Sequence, residues 1–265
     1  VIVQYAAMNI GLIDSGIGGL SILRALENKL PQNQYVYLAD SANFPYSEKS
    51  SQDLQKAATQ HVEELIDKHN CEIIVLACNT LSVVALAYLR SQFPAVPFVG
   101  TVPPVKAASE ELEPGNTILV LATKRTAESS YLAELITPYK EKQNFLVVGT
   151  TDLVIAIEAE DNVQINNVLN SINNNLKNHK VDGIVLGCTH FPLVERQIQE
   201  AFGEKIKVFS PTTGVVKQVA RLTQESNEDY SSRLLDKTNR TKFIKTTIGN
   251  QITKYIAVNT ITYPM

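Results

Sequence analysis

Long apolar runs are missing from this 265-residue sequence, and none approaches the roughly 20 residues that a membrane-spanning helix requires. A transmembrane helix is therefore excluded as an organising element. Basic charge is not in excess either. Against 27 acidic residues stand 24 Lys and Arg, a formal net charge of −3, so no broad positive field invites nucleic acid. Clusters such as Lys205-Ile206-Lys207 read as a solvated rim. Cysteine is scarce: there are three, at Cys71, Cys78 and Cys188. The opening Val1 to Ala7 is too short for a signal peptide and lacks its basic start. Few thiols without a secretory signal point to reduced cysteines and a cytoplasmic protein, not a disulfide framework. Met8-Asn9-Ile10-Gly11 reads as the natural start, with residues 1–7 an expression remnant. Nucleotide-binding signatures are absent too. Gly16-Ile17-Gly18-Gly19 does not match G-x-G-x-x-G, and no Gly-Lys-Ser or Gly-Lys-Thr occurs.

What is present is a duplicated device. Ile73-Ile74-Val75-Leu76-Ala77-Cys78-Asn79-Thr80 and Gly183-Ile184-Val185-Leu186-Gly187-Cys188-Thr189-His190 each run an apolar strand into a cysteine followed by polar residues. Runs of this kind suit parallel strands buried on both faces. Each cysteine then lies at a strand's carboxyl end, where open α/β sheets place their ligand crevices. Around these segments, strands and helical patterns alternate. Strands are predicted at 10–13, 35–39, 73–77, 117–122, 145–148, 183–187 and near 208, with helices at 20–28, 52–69, 81–92, 126–136, 163–178, 193–201 and 213–222. Such alternation implies parallel sheets with right-handed crossovers. The order of elements repeats in the two halves, which predicts an α/β protein of two pseudo-symmetric lobes with parallel-type sheets and the site between them. The expected division is 8–99 with 208–265 for one lobe and 100–207 for the other. The Pro/Gly cluster from Pro94 to Pro104 marks the first crossing. Beyond Leu222 the chain is polar and then strand-like at 255–258.

A cysteine on an apolar strand is ordinarily a small buried hydrophobe, and Cys71 reads that way. Cys78 and Cys188 differ in carrying polar residues at one common offset. Hydroxyls, the Asn79 amide and exposed helix N–H groups could hold a carboxylate there. A helix N-terminus also lowers a thiol's pKa, which would make thiolate available. Two thiols on facing lobes could address one carbon from opposite sides. Asp14 ends the first strand and could hold an ammonium group or partner a cysteine. The glycines after it read equally well as a tight turn. Asp40 and the loop Phe44-Pro45-Tyr46-Ser47 end the second strand; Pro45 fixes the backbone and Tyr46 offers a hydroxyl. His190, two residues beyond Cys188, reads as its proton partner, with a zinc ligand the weaker alternative. Glu158 lies on a short helical pattern, where most glutamates are solvated.

Asp14-Ser15-Gly16-x-Gly18-Gly19, Pro45-Tyr46, Ala77-Cys78-Asn79-Thr80, Ala122-Thr123-x-x-Thr126 and Gly187-Cys188-Thr189-His190-Phe191-Pro192-Leu193 together resemble the signature set of the cofactor-independent glutamate racemases. They occur in the family's order across most of the chain. The resemblance implies a cytoplasmic isomerase that interconverts L- and D-glutamate without pyridoxal phosphate, any other cofactor or a metal, and that supplies D-glutamate for peptidoglycan, cell-wall biogenesis and cell shape. A homodimer is the expected assembly, with glutamate as the small-molecule partner and neither nucleic acid nor membrane. By the same resemblance Cys78 and Cys188 are the acid–base thiols, assisted by Asp14, His190 and Glu158. Asp14, Ser15, Pro45, Tyr46, Ser47, Asn79, Thr80, Thr123, Thr189 and His190 would bind the amino acid. The thiol matching Cys188 would act on the L-enantiomer and that matching Cys78 on the D-enantiomer. Ser47 stands where the family usually has glycine, and a backbone with φ > 0 there would strain serine. Thr101-Val102-Pro103-Pro104 replaces a segment that often carries an acidic residue. Aspartate racemases or other two-cysteine racemases are the nearest alternative, although His190 stands where aspartate-type relatives tend to carry Glu. A non-catalytic amino-acid-binding protein is the alternative from another class.

Overall fold

A computed structural model describes residues 7–226, 241–246 and 256–257; most of the expected N-terminal remnant lies outside the described residues. The elements run β1 (Asn9–Asp14), α1 (Leu20–Lys29), β2 (Gln34–Ala39), α2 (Ser51–His69), β3 (Ile73–Leu76), α3 (Asn79–Gln92), β4 (Phe98–Gly100), α4 (Val105–Glu111) and β5 (Thr117–Ala122). They continue with α5 (Lys124–Ala127), α6 (Ser130–Ile136), β6 (Asn144–Gly149), α7 (Asp152–Glu158), α8 (Asn162–Asn175), β7 (Gly183–Gly187), α9 (Glu195–Phe202), β8 (Lys207–Phe209), α10 (Thr212–Ser226), β9 (Thr241–Lys245) and β10 (Ile256–Ala257). None of the helices among the described residues is long and apolar enough to cross a membrane.

Two sheets form, ordered β10-β9-β2-β1-β3-β4 and β6-β5-β7-β8, and every pairing except β9 with β10 is parallel. The cores β2-β1-β3-β4 and β6-β5-β7-β8 repeat one order. Asp40 N–H donates to Asp14 O in one sheet, and Thr150 N–H donates to Ala122 O in the other. Both faces of each sheet are covered, which is why the strands read as continuous apolar runs. Ile74 and Leu76 of β3 pack toward α2 and α3, whereas Ile73, Val75 and Ala77 pack toward α1 and α10 through Ile22, Leu26, Val215 and Val219. Helix α10 therefore brings the chain back to the first sheet, while β8 extends the second as far as Phe209. In the second sheet, Leu119 and Leu121 face α7, α8 and α9.

Local signals set the helix ends. Ser50 caps α2 by accepting Asp53 N–H at 3.1 Å, and Asn70 closes it in the left-handed conformation. The helix predicted over 126–136 is broken instead. Ser129 accepts Leu132 N–H at 3.1 Å and starts α6 afresh after α5. The Pro/Gly cluster read as a bare crossing holds β4 and is followed by α4, because Phe98 and Val99 pair with β3. Strand β9, unpredicted, pairs with β2. Of the strand expected at 255–258, β10 covers Ile256 and Ala257; residues 255 and 258 lie outside the described residues.

Candidate active site

The carboxyl ends of β1, β3, β5 and β7 deliver Asp14, Cys78, Thr123 and Cys188, and the last three lie one or two residues past their strands. Cys78 sits at the N-cap of α3, 8% exposed, and Cys188 follows β7, 4% exposed. Thr80, two residues past Cys78, meets Thr123 of the other half at 2.9 Å, so the two strand ends face one another. Burial, followed by the Asp14 carboxylate, holds the Cys78 thiol well above the ordinary range; backbone N–H groups of Leu81 and Thr80 only partly offset this. That corrects the expectation of a helix-lowered pKa at Cys78. Desolvation of a buried anion outweighs two amide donors.

Cys188 has a different partner. Its Sγ lies 3.8 Å from His190 Nδ1, and His190 Nε2 lies 2.7 Å from Glu158 Oε1. Burial opposes charge on His190, but the hydrogen bonds to Cys188 and Glu158 prevail and hold the imidazole well above its usual pKa. Burial likewise raises Glu158, yet its bond to His190 brings that carboxyl below the usual range. Both ring nitrogens of His190 are thus engaged by protein groups. Among the described residues no set of three or more His, Cys, Asp or Glu is placed to hold a metal ion. Glu158, which read as a solvated glutamate, also accepts Ile17 N–H at 2.6 Å and so ties α7 to the glycine turn of the first lobe.

That turn is glycine-rich for closeness. Gly16, Gly18 and Gly19 have no positive φ. A methyl group on Gly16 would overlap the Glu158 carboxylate, and one on Gly18 would overlap the His190 ring and crowd Thr189 Oγ1 at 2.8 Å. Asp14 Oδ2 accepts Gly16 N–H at 3.2 Å and Gly19 N–H at 3.1 Å, with the Tyr37 hydroxyl at 3.4 Å. Burial raises the Asp14 carboxyl, while His190 and these amides pull it back. Ser15 is buried beside it. Asp14 Oδ1, Asn79 Oδ1 and Thr189 Oγ1 are buried polar atoms with no hydrogen-bond partner among the described residues. Gathered at these strand ends, they leave hydrogen-bonding capacity that a bound molecule or water can take up.

Side chains of the two halves also meet directly near these strand ends. Thr80 Oγ1 lies 2.9 Å from Thr123 Oγ1, which donates to Thr126 Oγ1 at 3.0 Å. Ser47 Oγ lies 3.4 Å from Thr151 Oγ1, and the Phe44 ring packs 6.3 Å from that of His190. Ser47 occupies a short 3-10 turn without positive φ, so serine carries no strain in place of glycine. The Tyr46 hydroxyl donates to Asp40 Oδ2 at 2.9 Å, which anchors the turn that carries it. Pro45 precedes that turn and is half-buried. Asp40 and Tyr37 are thus supporting residues; the sequence hints at the first only by its strand-end position and gives no signal for the second.

Glu158→Gln provides a test of the His190 pair. Removing the carboxylate withdraws the charge that keeps His190 protonated, so its pKa should fall. The alkaline limb of the pH–rate profile is expected to move to lower pH, with kcat reduced about 10²-fold. An unmoved alkaline limb would show that this pair does not govern the site.

Comparison with known proteins agrees with this geometry. The sequence profile described as Asp/Glu/Hydantoin racemase matches residues 10–219. Glutamate racemase of Actinobacillus pleuropneumoniae serotype 7 (strain AP76) is 40% identical over 228 residues, 84% of each chain. Among solved structures, Escherichia coli glutamate racemase in complex with L-glutamate and the activator UDP-MurNAc-ala superposes with a TM-score of 0.81 at 28% identity, covering 91% of this chain and 90% of that one. Francisella tularensis glutamate racemase in complex with D-glutamate gives 0.72 at 26% identity, covering 91% and 89%. Two sheets of one strand order, a thiol at the same point of each and these likenesses lead to one conclusion: the chain belongs to the glutamate racemases of the Asp/Glu/Hydantoin racemase family.

Proposed function

We infer that this protein interconverts L- and D-glutamate by moving the α-proton between two thiols. The observation that carries the reading is the placement of Cys78 and Cys188 at matching strand ends of two like sheets, which meet there through Thr80 with Thr123 and Ile17 with Glu158. One thiolate takes the α-proton and the opposite thiol delivers another to the far face. The C–H bond breaks toward one sulfur as the new bond forms from the other, so the carbon changes hand and the protons of the pair are exchanged.

The barrier is severe because an amino-acid α-carbon is a far weaker acid than a thiol. Two effects reduce it: fixed placement of both sulfurs, and donors aimed at charge growing on the carboxylate. We assign the second role to Asn79, Thr80, Thr123 and Thr189, and the substrate ammonium to Asp14. Ser15 and the Pro45-Tyr46-Ser47 turn complete the binding surface. Cys78 in the thiol form, with cationic His190 beside Cys188, suits Cys188 as base and Cys78 as donor in one direction, which by likeness to the family we take to start from L-glutamate. The protein supplies D-glutamate for peptidoglycan synthesis, the role that belongs to its family. The same reading places it in the cytoplasm as a homodimer, working without an added cofactor and apart from nucleic acid. It also divides the chain into a lobe of 8–100 completed by α10 and a lobe of 101–209, since Gly100 pairs with β3 and Phe209 with β7.

Incubation with L-glutamate in deuterated water tests the reading. Circular dichroism is expected to decay to zero, with one deuteron entering the α-carbon, chiefly in the product enantiomer. Ligand binding without loss of optical activity would favour a binding protein, and activity confined to aspartate would favour the other racemase.

A further inference from the structure

The catalytic halves do not explain why a buried aspartate stands at the end of β2. Asp40 is fully buried and gathers polar groups from three places: the loop after β2, α2 and the residue after β9. Asn43 Nδ2 lies 2.9 Å from Oδ2, the Tyr46 hydroxyl 2.9 Å from Oδ2 and His61 Nε2 of α2 3.0 Å from Oδ2; Thr246 Oγ1 donates to Oδ1 at 2.7 Å. Burial works against its charge, but His61, Thr246 and Asn43 hold the carboxyl down to about 2. Thr246 is doubly engaged, because its hydroxyl also accepts Ala42 N–H at 3.0 Å. Its own N–H donates to Ala39 O, which continues the β2–β9 ladder by one bond.

The loop clasped in this way touches both thiol environments. Phe44 packs against the ring of His190, the partner of Cys188. Tyr46 is 2% exposed in the same core cluster as Cys78, and charges on Cys78 and Asp14 act on its hydroxyl. We propose that Thr246 is a positioning residue for the reaction: through Asp40 it fixes the Phe44–Tyr46 loop, and with it the walls behind the Cys78 and Cys188 sulfurs. The residue lies beyond the stretch 10–219 that carries the family signature. The role assumes the two-thiol reading above, so it needs one readout that is independent of turnover.

Thr246→Val keeps the side-chain shape and removes the hydroxyl; Thr246→Ser keeps the hydroxyl. The three thiols of the intact enzyme are alkylated with iodoacetamide and followed residue by residue. In Thr246→Val the Cys78 rate is expected to rise about tenfold while that of the remote, buried Cys71 is unchanged; Thr246→Ser should restore the wild-type pattern. kcat/KM for glutamate should fall about tenfold in the valine variant and recover in the serine variant. A Cys78 rate that does not change, or rises only in step with Cys71, overturns the proposal. If the wild type fails to racemise glutamate, the functional reading is lost, yet the labelling pattern still decides the role of Thr246.

Discussion

Replacing Cys78 or Cys188 with serine is expected to lower racemisation of both enantiomers by at least about 10³-fold, equivalent to about 4 kcal/mol at the transition state. A hydroxyl is a far weaker acid than a thiol, and at positions 8% and 4% exposed an alkoxide gains little solvation to offset that. Each sulfur serves as base for one enantiomer and as acid for the other, so loss of either stops both directions. Cys71→Ser is the control: this third thiol is buried between Gly11 and the α2 core, with burial raising it to about 12, and its loss is expected to leave turnover unchanged. Initial rates from each enantiomer, followed by circular dichroism, provide the check. A single cysteine variant that keeps near wild-type rate would end the two-thiol mechanism.

The second large effect is expected from a residue with no chemistry of its own. Gly18→Ala sets a methyl group where the His190 ring now lies, and His190 is 2% exposed with Glu158 bonded behind it. The ring must shift, and its contacts with Cys188 and Glu158 shift with it. A displacement near 1 Å costs on the order of 10²-fold in rate, and overpacking costs about 1–3 kcal/mol in stability. Gly214→Ala is the matched control: a Cβ there meets nothing within 4 Å, and α10 gains a better helix former. Urea midpoints alongside kcat/KM separate the two contributions. If Gly18→Ala retains full activity, close approach is not the reason for glycine at this position.

The parts of the fold that could be read in the sequence are those whose neighbours lie on both sides. β1, β3, β5 and β7 are continuous apolar runs because helices cover each face. β9 is not such a run. Thr241-Lys242-Phe243-Ile244-Lys245 alternates weakly, and its partner β2 lies some 200 residues earlier, so only tertiary pairing reveals it. β4 is only three residues long and hides among prolines, so its pairing with β3 is what reveals it. In the site, a duplicated cysteine with polar followers was legible because repetition itself is a signal. Glu158 was weaker, since its partners Ile17 and His190 are 141 and 32 residues away. The glycines of the first turn were visible as glycines but not for their reason. Only the opposing lobe shows that His190 and Glu158 fill the space a side chain would take. The Tyr46 hydroxyl could not be traced to Asp40 from sequence, because the bond depends on how the loop folds back on β2.

The two thiols keep dissimilar company: an imidazole–carboxylate pair at Cys188, an aspartate and two amides at Cys78. Mirror-image substrates have identical free energies in water, so no such inequality can tilt the final mixture away from one to one. It must surface elsewhere, as unequal saturating velocities in the two directions balanced by unequal half-saturation concentrations. After each conversion the enzyme is also left holding its protons the wrong way round for another molecule of the same hand. Resetting them is a separate journey, and the lopsided surroundings make one resting form the more populated.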